Sequence, residues 1–188
     1  HNSGRRQRQM CIRDRYFLIH LENTGLSNDE LAASYSFFGS AHRTTISYEQ
    51  LKMDYGLPGS PEGHIDGVNL KMDKHSQKLN HHRDISLLNF QTFDLDQRFI
   101  NYNHSEFVTG SNFASVSMGQ NLFSLQGKLV GEQLTLGSLV QYRDFRAGGF
   151  YWTPDTEEIR VSLFGLFQKN INKTTLQLSS CLLYTSPS

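Results

Sequence analysis

Between about Asp29 and Ser180 the chain alternates apolar and polar residues in short runs. Gln133–Phe145 shows the type: Leu134, Leu136, Val140 and Tyr142 share one parity, with Ser138 its polar member. Gln133, Thr135, Gly137, Gln141 and Arg143 share the other. A period of two sets unlike side chains on the two faces of a strand. The connections between runs alternate as well. One is short and plain; the next is longer and carries Gly, Pro, aromatics and charges. Unlike faces joined by alternately short and long loops form the pattern of an outer-membrane β-barrel.

The pattern predicts eight strands: Asp29–Phe38, Thr44–Tyr55, Val68–His82, Phe90–His104, Phe113–Leu125, Gln133–Phe145, Glu158–Gln168 and Thr174–Ser180. Leu31, Ala33, Tyr35 and Phe37 define the apolar face of the first, Ile46 and Tyr48 that of the second. A phase slip near Gln50–Leu51 predicts a bulge there or the water line. In the third, Val68, Leu70 and Met72 begin an apolar face that Lys74, Ser76 and Lys78 break. Phe93, Leu95 and Phe99 continue the pattern, followed by Phe123 with Leu125, then Ile159, Val161, Leu163 and Phe167, then Leu176 with Leu178. Short turns are expected at Gly39–Arg43, Arg83–Asn89, Gln126–Glu132 and Lys169–Lys173. Longer loops are expected at Tyr55–Gly67, Ser105–Asn112 and Arg146–Glu157. The expected fold is all-β: an antiparallel up-and-down meander, about eight strands of an incomplete transmembrane β-barrel. The cleanest runs have 11–13 residues. A tilted membrane strand needs roughly 9–11, whereas strands in soluble sandwiches are usually nearer ~5–6.

Composition agrees. Of 188 residues 37% are hydrophobic and mean hydropathy is −0.48, lean for a soluble core but enough for a wall in which alternate residues are apolar. No run approaches the ~18 apolar residues of a membrane helix. Tyr16–Ile19 is too short for the core of a secretion signal, so a precursor's leader is expected to lie outside this sequence.

The two ends differ from the middle. Arg5–Arg15 reads RRQRQMCIRDR and Cys181–Ser188 reads CLLYTSPS. Both resemble translated sequencing-adapter sequence, so residues 1–15 and 181–188 are set apart as non-native and 16–180 is taken as the barrel portion. The competing reading of the first is a basic arm for nucleic acid or anionic lipid. Both cysteines, Cys11 and Cys181, fall in these ends, which leaves the middle without a disulfide, thiolate nucleophile or zinc-thiolate site. The first fifteen residues carry a net +4 and the whole chain is neutral, so the middle carries −4. That gives no electrostatic case for a nucleic-acid partner.

Several stretches resemble a family. Asn23-Thr24-Gly25, Ala33-Ser34-Tyr35 and Ser47-Tyr48, leading to Asp54-Tyr55-Gly56-Leu57-Pro58-Gly59, look like part of the barrel of TonB-dependent outer-membrane receptors. Tyr102-Asn103-His104-Ser105-Glu106-Phe107 and Tyr142-Arg143-Asp144-Phe145 are similar to later stretches, in the family's order and spacing across roughly Glu22–Ser180. The resemblance is nearest to the metal-uptake branch that takes up zinc. It implies a larger, 22-stranded barrel with an N-terminal plug, of which this is a slice in the outer membrane of a Gram-negative bacterium. It also implies energy-coupled import of a scarce nutrient, such as a metal ion or metal chelate. The implied partners are outer-membrane lipid, the nutrient and a TonB-type coupling protein acting through parts outside this chain. No cofactor is implied. The alternatives are another outer-membrane barrel (a passive porin or a barrel enzyme) or a soluble β-sandwich binding module.

Candidate functional residues are few. His64, beside Glu62 and Asp66 in the first long loop, is a candidate metal ligand, although one His and two carboxylates on a loop are more often a solvated polar cluster. Phe150, Tyr151 and Trp152 in the third long loop are candidate substrate contacts, with Tyr151 and Trp152 foremost. Their alternative is an aromatic girdle at the membrane surface. His104 borders the second long loop, and His81-His82 sit near a short turn. Asp94 and Asp96 share a strand face with Arg98; lining a polar lumen suits them better than acid–base chemistry. No nucleophile elbow or phosphate loop is present, and no enzyme activity is expected.

Overall fold

The computed structural model describes residues 22–60, 65–149 and 154–187. Eight strands follow in order: β1 (Leu26–Phe38), β2 (His42–Leu57), β3 (Val68–Leu87), β4 (Phe90–Val108), β5 (Val116–Gly131), β6 (Leu134–Gly149), β7 (Thr156–Ile171) and β8 (Thr174–Pro187). They form one antiparallel sheet in sequence order, and each pairs only with its neighbours. β1 and β8 are open edges, so the sheet is not closed into a barrel. The all-β, up-and-down meander expected from the sequence is the observed fold. Among the described residues no helix is long and apolar enough to cross a membrane, which says nothing about strands.

The connections sort by length onto opposite ends of the sheet. Residues 39–41, 88–89, 132–133 and 172–173 make the short turns at one end; residues 58–67, 109–115 and 150–155 make the longer connections at the other. The β3–β4 and β7–β8 turns are two-residue hairpins that begin with positive φ, 53° at both Leu88 and Asn172. That conformation gives the turn a twist matched to its flanking strands.

Most strands are longer than their apolar runs. β3 continues through Arg83–Leu87, and the turn expected at Arg83–Asn89 shrinks to Leu88-Asn89. Gln126–Gly131 is strand, paired to Phe90–Asp96, where a turn was expected. Arg146–Gly149 likewise extends β6 into the expected loop. Ladder hydrogen bonds depend on backbone alone, so pairing persists where alternation fades. The same holds for β8, in which Cys181–Pro187 pair with Glu158–Phe164. The bulge expected near Gln50–Leu51 is absent: both neighbouring ladders run through it unbroken. Leu51 joins Met53 on the face opposite Tyr48, which is why the phase reads as slipped. The irregularities lie instead between Asp84 and Leu87 and between Phe90 and Thr92.

A single layer has no interior of its own. The accessible surface is 15242 Å², against about 9,000 Å² for a compact chain of this mass. Among the described residues only Leu70 and Val116 are buried apolar side chains. The sheet therefore has two faces, and what each carries decides what it can do.

Candidate functional site: the two faces of the sheet

Register assigns the faces. One row runs Tyr35, Ile46, Leu79, Gln97, Leu125, Val140, Val161, Tyr184, and the next runs Ala33, Tyr48, Gln77, Phe99, Phe123, Tyr142, Ile159. These two rows hold eleven of the twenty-four residues that the sequence pattern had marked as apolar, and most of the others leave the same face. Many stand open: Tyr35 is 71% exposed, Leu163 55% and Leu178 60%. Large exposed apolar surfaces mark sites where proteins meet other proteins or membranes.

The apolar band crosses the register diagonally. Phe37, Thr44, His81, Leu95, Gly127, Ser138, Leu163 and Leu182 form one continuous row. In β1 the band, Leu31–Phe37, lies on the long-connection side of that row. In β7 it runs from Ile159 to Phe167 and in β8 from Leu176 to Tyr184, so its centre has moved toward the short turns. From the centre of the band in β1 to its centre in β7 and β8 the drift is about 0.5–0.7 residue per strand step; a ~3.3 Å rise and ~4.8 Å strand spacing convert this to a tilt of roughly 20–25°.

β3 is where the band fails. Val68, Leu70 and Met72 lie on the other face, with Lys74 and Lys78. Around Leu79 the apolar face carries His75, Gln77 and His81. These polar groups have partners: Tyr48 Oη lies 2.8 Å from His75 Nδ1, and Thr44 Oγ1 lies 2.8 Å from His81 Nδ1. Toward the long connections the same face becomes charged. Lys71 meets Asp54 at 3.9 Å, and Arg146 meets Asp144 at 3.1 Å.

The opposite face is polar at the level where the first is oily. Arg43, His82, Asp94 and Lys128 form one row, and Asp94 binds both neighbours, His82 Nδ1 at 2.6 Å and Lys128 Nζ at 3.1 Å. Asn80 donates to Asp96 in the next row. Glu158 holds Arg143 and Arg160, each at 2.7 Å, and Lys74 reaches Glu49 at 3.6 Å. Asp94, Asp96 and Arg98 share this face, as their spacing required, with Leu95 on the other. His81 and His82, adjacent in sequence, point to opposite faces and cannot act together.

His64, Glu62, Phe150, Tyr151 and Trp152 lie outside the described residues. Among the described residues no group of three or more His, Cys, Asp and Glu is arranged to hold a metal ion. His104 was noted in the sequence by its place beside a loop and as part of a stretch that resembles the receptor family. Its side chain is 12% exposed, and Nε2 lies 3.1 Å from Glu106 Oε1 while Nδ1 faces Tyr102 Oη at 3.4 Å. Asn23 was noted only as part of a resemblance. Its amide Nδ2 reaches the carbonyls of Leu57 (2.9 Å) and Val68 (3.1 Å) and the Thr109 hydroxyl (3.3 Å), tying the segment before β1 to both ends of the β2–β3 connection and to the start of the β4–β5 connection. Its neighbour motif comes with it, because the Gly56 amide donates to the Gly25 carbonyl at 2.9 Å. No family model matches the chain, and no curated protein matches it.

Proposed function

We propose that this chain is a section of the wall of an outer-membrane β-barrel of the TonB-dependent receptor type, which binds a scarce nutrient and imports it with energy from the inner membrane. The observation that carries the membrane part is the diagonal apolar band. A barrel strand tilts roughly 35–45° to the membrane normal, so a lipid-facing belt must slide along the register from strand to strand. A flat soluble sheet has no such requirement. The ion-paired opposite face suits a water-filled lumen, and long connections gathered at one end suit an outer surface with short periplasmic turns. The receptor part rests on the co-linear stretches from Asn23 to Phe145. Substrate contact would fall to the polar face and the long connections, with no covalent step.

The test uses the intact protein in vesicles, with single cysteines at positions 140 to 143 carrying a fluorescent label. Labels at 140 and 142 should be quenched by a lipid-phase quencher, and those at 141 and 143 by a water-phase one. Equal quenching at all four, or monodisperse solubility without detergent, overturns the membrane reading. Import that persists after deletion of the host's TonB protein overturns the energy-coupled receptor in favour of a passive porin.

A further inference from the structure

Three of the chain's four methionines fall in a single row of the sheet, with a histidine among them. Met53 pairs with Met72, Met72 with His104, and His104 with Met118. All four side chains leave the polar face, near its long-connection end. Neighbouring strands stand ~4.8 Å apart, so Met72 and Met118 lie on the two strands directly beside His104, close enough for long thioether side chains to approach its ring. Met53 is one strand further on.

We propose that Met72, His104 and Met118 form a binding site for a soft monovalent metal ion, copper(I) or silver(I), with Met53 as a further thioether for loading or exchange. Thioether sulfur is a soft donor that favours copper(I) over zinc, magnesium or calcium. The histidine is set up for this role. With Glu106 accepting from Nε2–H, the Nδ1 lone pair is turned along β4 toward Tyr102 Oη, a long 3.4 Å contact that a metal ion would replace. A carboxylate behind the far nitrogen is the usual way a ligating imidazole is oriented and made more basic. The row beside it supplies the shielding: Leu70 and Val116, 6% and 7% exposed, belong to the same row as Glu106. Methionines that only filled space would not require an oriented imidazole between them. No acidic group stands in the row itself to attract a hard divalent ion.

The site itself stands on register and ligand chemistry. Its use as the capture point for an imported metal rests on the receptor reading above. The experiment titrates the intact protein in detergent, cysteines alkylated, with silver(I) in chloride-free buffer, and reads the silver coordination shell by X-ray absorption. One equivalent should bind with sulfur and nitrogen neighbours and resist a hundredfold excess of zinc. Met72→Leu and Met118→Leu conserve volume and should keep the fold, with affinity at least ~10-fold lower; His104→Gln should lose the nitrogen neighbour. Glu106→Gln should weaken binding about 10-fold, the scale of lost outer-shell support. Unchanged affinity in both methionine variants, or displacement of silver by zinc, overturns the site. Tight thioether binding without silver- or copper-dependent uptake by cells leaves the site standing and refutes the import role.

Discussion

Asn23 and Gly56 occupy adjoining space at the long-connection end of the sheet, and a side chain at position 56 would run into both the Asn23 amide oxygen and its carbonyl. The contact joins the segment before β1 to the end of β2. With it go the Asn23 bonds to Leu57, Val68 and Thr109.

Gly56→Ala should therefore cost about 1–3 kcal/mol as an overpacked contact. Asn23→Ala should cost ~1 kcal/mol for its lost hydrogen bonds. The double variant should recover only part of the Gly56→Ala loss, because the Asn23 carbonyl still blocks position 56. A double-mutant cycle by urea unfolding of the intact protein in vesicles reads this. Simple additivity would show that the two residues do not meet.

Substitution on the two faces should differ sharply. Val140→Arg, in the middle of the apolar band, should destabilise by about 2–4 kcal/mol in lipid, and Gln141→Arg on the opposite face by far less. The same unfolding measurement gives both values. Equal costs would contradict the face assignment.

Leu88 should be improvable. It is 91% exposed and sits at φ 53°, a conformation in which an L side chain crowds its own backbone. Asn172 holds the same φ in the equivalent hairpin. Leu88→Asn should stabilise by about 0.5–1 kcal/mol, since Asn tolerates the left-handed region that leucine resists. A lower urea midpoint for the variant would refute the turn assignment.

Asp94 should matter more than either of its partners. It holds both His82 and Lys128, and its side chain is 24% exposed. Asp94→Ala should cost ~1 kcal/mol at low salt and less at 1 M salt, because partly exposed pairs are screened. Lys128→Ala should cost less than Asp94→Ala, since His82 still satisfies the carboxylate. Urea midpoints at two salt concentrations check the order.

Alternation along the chain determined the strand count, the antiparallel order and, on seven strands, which residues share the oily face. The reason is local: parity alone decides on which side of a strand a residue leaves. Strand ends were less legible, because backbone pairing outlasts apolar patterning at Arg83–Leu87, Gln126–Gly131 and Arg146–Gly149. β3 was misread for a related reason: Val68, Leu70 and Met72 form an apolar start on the polar face. Only the tertiary structure aligned the strands into rows. Row membership depends on register between segments far apart in sequence, which no single segment encodes. That register shows the apolar band to be diagonal, closes Asn23 onto Gly56, and brings Met53, Met72, His104 and Met118, each unremarkable on its own strand, into one line.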